Sequence, residues 1–384
     1  MSALATAMLR LGDSVTGADR NLATANIEFL RSIGVECFPD DGSGVDRSTD
    51  EVVVSTAIEE DNPGLLRAKE FGIPVTHRAK ALARTLSGRR LVAVVGTCGK
   101  STVTAMLGHV LAECGLDPFC VNGANVPGWE GAVRFGRGEY AVAEVDESDK
   151  SLVAFRPYAA IVTNASADHY SKEEMDEVFD AFIKGCEGPV VDGRVTYGEA
   201  DVSALGRHNS NNAFLALKMA KALGCDEAKA RAALMTFRGV ERRLQRHGEN
   251  VFDDYAHNPE KLHAMWTTLA ERYPGGICVV WRPHGYAPLR KMAESLAEMF
   301  NATIRPQDRL LLLPVYDAGG TADRSINSDV LAARVPRSVL VKDLDEAYSW
   351  ILSHKDGFAA FATCGARDPE LPGLARRLAR GFMV

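Results

Sequence analysis

No apolar run in this sequence of 384 residues reaches the roughly 18–20 residues needed to span a bilayer, so a transmembrane protein is not expected. The first residues carry neither a basic start nor a cleavage signal and do not read as a secretory peptide. The eight cysteines are scattered, without a Cys-x-x-Cys pair. That spacing supports neither a zinc site nor a disulfide framework and points to reduced thiols in a cytoplasmic protein. An excess of positive charge is missing too. Lys and Arg number 44 against 51 Asp and Glu, a formal net charge of −7. Such a surface has no general attraction for nucleic acid or an anionic membrane, and neither partner is expected. Internal repeats and low-complexity segments are absent. What is present is an ordinary globular composition, 46% hydrophobic and 25% charged. At roughly 100–200 residues per domain, the length predicts two or three domains.

Helical and strand patterns alternate along the chain, which predicts an α/β fold with parallel sheets. Helices are expected at Ser2 to Leu11, Ala23 to Ile33 and Asn62 to Phe71, with strands at Ser14 to Gly17, Val52 to Ser55 and Ile73 to Val75 in one small parallel sheet. Helix Ala79 to Leu86 and the turn Ser87-Gly88-Arg89-Arg90 read as a linker. A second part opens with the apolar strand Leu91 to Val95, and a third near Val251. The expected division is into three domains, 1–87, 88–247 and 248–384.

The strongest local signal is Val95-Gly96-Thr97-Cys98-Gly99-Lys100-Ser101-Thr102, set between a buried strand and a helix. This is the context of a phosphate loop. Gly96 and Gly99 let the backbone turn tightly and aim N–H groups, with those of Thr97 and Thr102, at phosphate oxygens. The helix N-terminus adds partial positive charge. Lys100 reaches the β- and γ-phosphates of a nucleotide, and the Ser101 hydroxyl suits Mg²⁺. The common motif has its first glycine five residues before Gly99; here that residue is Val94, so the loop is short. Cys98 reads as a small loop residue rather than a reactive thiol.

Two clusters follow apolar strands. Glu144-Val145-Asp146-Glu147-Ser148-Asp149 brings carboxylates to the C-terminal edge of a parallel sheet, the edge the phosphate loop also occupies. A Mg²⁺ ligand and a solvated acidic loop are equally good readings of its spacing. Asp168-His169, after Thr163-Asn164, can add or orient a metal ligand.

These motifs, with Gly206-Arg207-His208-Asn209 and Asn212, Gly239-Val240-Glu241-Arg242-Arg243, and Asp253-Asp254-Tyr255-Ala256-His257-Asn258-Pro259, come in an order that resembles the Mur ligases. These are ATP-dependent amide ligases of bacterial cell-wall synthesis. The likeness extends over nearly the whole chain. It is greatest to the branch that joins L-alanine to UDP-N-acetylmuramate and to its relative that attaches a recycled murein peptide. The resemblance implies a Rossmann-like N-terminal domain for the UDP-substrate, a central P-loop ATPase-like domain and a Rossmann-like C-terminal ligase domain. It implies ATP and Mg²⁺, small-molecule substrates (a UDP-sugar acid and an amino acid or peptide), and a monomer or homodimer. Lys100 would meet the γ-phosphate, Ser101 and Glu144 would hold metal, and His169 would serve a second metal. Asn209 and Asn212 would lie near adenine, Arg243 and Asp254 would hold ATP, and His257, His284 and Arg367 would lie near substrate.

Three features depart from the family pattern. The chain opens on a helix that resembles the one following the family's Gly-x-Gly-x-x-Gly turn, so the first strand and that glycine loop are expected upstream of Met1. Gly285-Tyr286-Ala287-Pro288-Leu289-Arg290 stands where the alanine-adding branch is arginine-rich, which alters an amino-acid contact. The loop after His169 passes straight into Tyr170-Ser171-Lys172-Glu173-Glu174. A catalytically silent ATP-binding relative is the alternative from another class, disfavoured by intact Lys100, Ser101, Glu144 and His169. A phosphotransferase acting on an alcohol leaves the third part unexplained.

Overall fold

The strand predicted before the phosphate loop organises the first of two units into which the chain divides, Met1–Val240 and Glu241–Val384; the computed structural model describes residues 1–146, 151–165, 172–317 and 323–382. The first unit begins with α1 (Ser2–Leu11), β1 (Thr16–Asp19), α2 (Ala25–Ser32), β2 (Glu36–Pro39), β3 (Val52–Val54), α3 (Pro63–Phe71), β4 (Val75–His77) and α4 (Arg78–Leu86). β1 pairs in parallel with β2, and β3 with β4, but the two pairs form separate sheets. The single small sheet expected here is therefore two ribbons. Their strands are three or four residues long and none is fully buried, so little apolar surface is available to weld them together.

The unit continues with β5 (Arg90–Val95), α5 (Lys100–Glu113), β6 (Phe119–Val121), β7 (Val133–Arg134), β8 (Tyr140–Glu144), β9 (Ala159–Val162), α6 (Lys172–Ile183), β10 (Val190–Asp192), α7 (Arg207–Ala222) and α8 (Glu227–Thr236). Six strands form one sheet in the order β10-β9-β5-β8-β6-β7, parallel except for β7. Successive side chains of β5 point to opposite faces, as the pleat requires. Val92 and Val94 pack with Val103, Met106 and Leu107 of α5 and with Leu215 and Met219 of α7. Leu91, Ala93 and Val95 pack on the other face with Phe179 of α6, Leu4 and Ala7 of α1, and Ala79, Ala81, Leu82 and Leu86 of α4. α4 is thus a core helix, not the linker its polar flanks suggest.

The second unit contains β11 (Gln245–Arg246), β12 (Val251–Asp254), α9 (Pro259–Arg272), β13 (Ile277–Trp281), α10 (Tyr286–Thr303), β14 (Arg309–Leu312), α11 (Asp329–Ala332), β15 (Ser338–Leu340), α12 (Leu344–His354), β16 (Ala360–Cys364) and α13 (Leu371–Gly381). Its sheet runs β11-β12-β16-β13-β14-β15, with only β11 antiparallel. Val251, Cys278, Val280, Leu311 and Phe361 pack against Leu374, Ala375 and Leu378 of α13. Trp281 of β13 and Trp266 of α9 meet the ring of Phe300 on α10 edge-on. Pro288 lies in the first turn of α10. Proline is tolerated there because the N–H groups of a first turn have no intrahelical acceptor.

No helix among the described residues is long and apolar enough to cross a membrane. The eight cysteines form no disulfide among the described residues. Burial raises the thiol pKa values of Cys120, to about 12, and of Cys278 and Cys364, which makes them inert.

Candidate functional site

Parallel strands deliver their following loops to one edge of a sheet, and in the first unit that edge gathers the motif residues. β5 ends at Val95 and leads into Gly96, while α5 opens at Lys100. Gly96 (φ 124°) and Gly99 (φ 85°) both occupy the left-handed region, which other residues enter only under strain. Both are also sterically required. A Cβ on Gly96 would stand 2.2 Å from Thr163 Oγ1, and one on Gly99 would stand 2.7 Å from Asn212 Oδ1. The Lys100 ammonium donates to the Gly96 carbonyl across the loop at 2.6 Å. Ser101 and Thr102 are buried in the first turn of α5.

The loop is braced from the neighbouring strand by residues whose role the motif alone does not reveal. Thr163, just after β9, donates its hydroxyl to the Cys98 carbonyl at 2.6 Å. The Asn164 side chain accepts from the Thr97 hydroxyl (2.7 Å) and the Cys98 N–H (2.9 Å) and donates to the Cys98 carbonyl (3.0 Å). Cys98 is therefore held through its backbone on both sides. On α7, Asn209 and Asn212 are buried. Asn212 donates to Asn209 Oδ1 at 3.4 Å, and Asn209 donates to the Leu205 carbonyl at 2.7 Å. Asn212 is brought against Gly99 of the phosphate loop.

Glu144 is the last residue of β8 and lies opposite Val94 in the register of β8 with β5. Its Oε2 accepts the Gly123 N–H at 2.8 Å. His169 and Asp168 lie outside the described residues, as does the acidic stretch 147–149.

In the second unit, a tight turn displays Arg243. Its neighbours Arg242 (φ 58°) and Leu244 (φ 46°) are left-handed although neither is glycine. Two buried carboxylates offset that strain. Asp253 accepts from Arg242 Nε at 3.0 Å and from the Thr363 hydroxyl at 2.6 Å. Asp254 accepts the N–H of Leu244 and that of Ala256, each at 2.7 Å. The Arg243 guanidinium lies 5.4 Å from the ring centroid of Tyr255. Asp254, expected at ATP, thus has both oxygens engaged in shaping the segment that carries Arg243.

His257, His284 and Arg367 converge at the C-terminal edge of this second sheet. The His257 and His284 rings meet edge-on with centroids 4.9 Å apart. His257 Nδ1 lies 2.9 Å from the Tyr255 carbonyl; a carbonyl can only accept, so that nitrogen carries the proton. Arg367 is left-handed (φ 65°), and its guanidinium would be 3.9 Å from a Cβ on Gly285. Burial, His257, Arg367 and Lys261 together hold the His284 pKa down to about 4. The loop carrying Arg367 is tied to β13 by the Arg282–Asp368 ion pair at 2.7 Å, where Asp368 is fully buried.

The two units thus present different chemistry. One offers a glycine turn, an ammonium, a hydroxyl and a carboxylate. The other offers a group of cationic and imidazole side chains. Among the described residues no three His, Cys, Asp or Glu side chains gather as a metal cage. A single carboxylate and a hydroxyl match Mg²⁺, which takes few protein ligands and fills its shell with phosphate oxygens and water.

Comparison with known proteins bears on this arrangement. Residues 1–90 match the model described as "Mur ligase family, catalytic domain", and residues 241–367 match "Mur ligase, glutamate ligase domain". The UDP-N-acetylmuramate–L-alanine ligase of Gloeobacter violaceus is 32% identical over 390 residues, covering 87% of this chain and 83% of its own. That of Agrobacterium fabrum is 31% identical over 401 residues, covering 87% and 84%. Among solved structures, the UDP-N-acetylmuramate–alanine ligase of Thermotoga maritima superposes with a TM-score of 0.81 at 24% identity, covering 100% of this chain and 96% of that one. A murein peptide ligase from Psychrobacter arcticus gives 0.67 at 20% identity, with coverage of 100% and 96%. At those identities the two structures speak for the fold. The fold and the sequence matches define a ligase. The chain belongs to the Mur ligase family.

Proposed function

We propose that this chain is an ATP-dependent, ADP-forming ligase that joins L-alanine to UDP-N-acetylmuramate in peptidoglycan synthesis, in the cytoplasm. The reading is carried by identity of 31–32% to ligases of that name over 87% of the chain. It is supported by a phosphate loop set one strand away from a carboxylate. In this proposal residues 1–87 serve the UDP-substrate, 88–247 ATP, and 248–384 ligation.

The substrate carboxylate attacks the γ-phosphorus of ATP, ADP leaves, and an acyl phosphate forms. The amine of the second substrate then attacks the acyl carbon, and the amide forms as phosphate leaves and the amine loses a proton. No covalent enzyme nucleophile is required, so the protein's task is to position reactants and neutralise charge. Lys100 and the loop N–H groups hold the transferred phosphoryl group. Ser101 and Glu144 would hold Mg²⁺, with His169 serving a second ion. Mg²⁺, when bound, supplies charge neutralisation at the phosphate oxygens. Asn209 and Asn212 are assigned to the adenine side and Arg243 to the nucleotide, with Asp254 shaping the segment that carries Arg243. His257, His284 and Arg367 form a positively polarised cluster suited to an acidic substrate group.

The test is phosphate release from ATP and Mg²⁺ with UDP-N-acetylmuramate and a panel of amines. Turnover with L-alanine is expected. Turnover only with an alanyl peptide would assign the recycling reaction instead. ADP formation only with an alcohol would indicate a phosphotransferase, and ATP binding without any turnover a silent relative.

A further inference from the structure

We propose that Gly123 is a positioning residue for Glu144: its N–H fixes one carboxylate oxygen, and its missing side chain leaves the space in which that carboxylate lies. The proposal rests on the reading of Glu144 as a metal-holding group given above, and it adds a residue that no motif singles out. β6 and β8 are parallel neighbours, with Val121 opposite Ala143. Asn122 and Gly123 therefore leave the sheet beside Glu144, at the edge the phosphate loop occupies. The Gly123 N–H donates to Glu144 Oε2 at 2.8 Å. A Cβ on Gly123 would stand 2.4 Å from Oε2, 2.7 Å from Cδ and 2.8 Å from Oε1. The whole carboxylate thus lies across the glycine Cα.

Backbone geometry does not require glycine here. Gly123 lies outside the left-handed region, so alanine can adopt its conformation. The residue is also exposed, and the three nearest atoms to the added methyl all belong to Glu144. Neither burial nor backbone conformation calls for a glycine at this position. The nearest contact of an added side chain is with one carboxylate. Asn122 keeps the turn in place: it is 3% exposed, its amide donates to the Ala124 carbonyl at 3.0 Å, and its backbone N–H donates to Ala132 at 2.9 Å. With the turn held there, the next N–H meets the carboxylate. Groups that orient a metal-holding carboxylate set its affinity for the ion, and their loss typically costs roughly 10- to 100-fold.

The experiment is a Mn²⁺ titration followed by electron paramagnetic resonance, on the full chain saturated with the β,γ-methylene analogue of ATP, with melting temperature recorded for each variant. Gly123→Ala should melt with the parent and bind Mn²⁺ roughly 10- to 100-fold more weakly. In a Glu144→Gln background the same alanine should change binding no further, since it acts through that carboxylate. Equal Mn²⁺ affinity in Gly123→Ala and the parent overturns the positioning role and leaves the ligase reading standing. Weakening that persists in the Glu144→Gln background overturns it as well. A parent chain that takes up no Mn²⁺ with the nucleotide analogue overturns the reading of Glu144 beneath it.

Discussion

Lys100 spans its own loop to reach the Gly96 carbonyl, so at rest its charge sits over the turn proposed to hold phosphate. Lys100→Ala removes the one side-chain cation of that turn. Turnover should fall by roughly 10²–10³-fold, the usual cost of deleting a donor aimed at developing charge. The melting temperature should stay close to the parent's, because Lys100 is only half-buried. Full turnover in the variant would remove Lys100 from the reaction.

Asp253 and His284 make a prediction about pH. Burial pushes the Asp253 carboxyl from its ordinary 3.8 up to about 6, against the opposing pull of Arg242 and Thr363. Between those values the folded form keeps a proton that the unfolded chain has released, so Asp253 makes the second unit less stable as pH rises from about 4 to 6. His284 has the opposite sign. Its pKa falls from 6.5 to about 4, so the unfolded chain binds the extra proton in that window and stability grows with pH. In the parent the two slopes oppose each other. Asp253→Asn removes one of them, and the melting temperature should then climb more steeply between pH 4 and 6 than the parent's. Parallel profiles would show that Asp253 does not titrate there.

At the scale of elements, Asp308 shows how one buried carboxylate joins several pieces. It is fully buried and accepts from Trp266 Nε1 on α9, from the backbone N–H of Ile277 at the start of β13, and from Arg305 after α10, each at 3.0 Å. Burial opposes its ionisation, but these bonds hold its pKa below the ordinary carboxylate value. Asp308→Ala would strand the indole, an amide and a guanidinium together. The second unit should lose roughly 3 kcal/mol or more, measured by denaturant unfolding. A loss under 1 kcal/mol would mean that water replaces the carboxylate.

Elements were legible in the residues where the signal is local. The run Leu91 to Val95 followed by Gly-x-x-Gly-Lys-Ser announces strand, turn and helix in eleven residues. Glu36–Pro39 and Phe119–Val121 were not legible as strands. They are three or four residues long, and their pairing partners, β1 for the first and β7 and β8 for the second, lie outside any local window. The site divides in the same way. Lys100, Ser101 and Glu144 stand out by residue type and position. Asn164's hold on Cys98 and Gly123's contact with Glu144 join residues 66 and 21 positions apart, and only the folded sheet brings them together. Asp254 shows the limit from the other side: its place in a motif marks it for attention, but not that Leu244 and Ala256 occupy both its oxygens.

Over the whole molecule, two parallel sheets repeat one plan, a strand edge that collects loops, with different side chains supplied to each edge. The first edge carries a glycine turn with Lys100, Ser101 and Glu144, and the second carries His257, His284 and Arg367. α1 and α4 press Leu4, Ala7, Leu82 and Leu86 onto the sheet face formed by Leu91, Ala93, Val95, Phe119 and Ala143. The leading segment therefore acts as a lining for the sheet that carries the glycine turn. A fragment trimmed to begin at residue 88 would bare that oily face to water, so it should precipitate on expression or bind a hydrophobic dye strongly, even with every phosphate-loop residue intact. A soluble, dye-silent fragment would mean that this lining is dispensable.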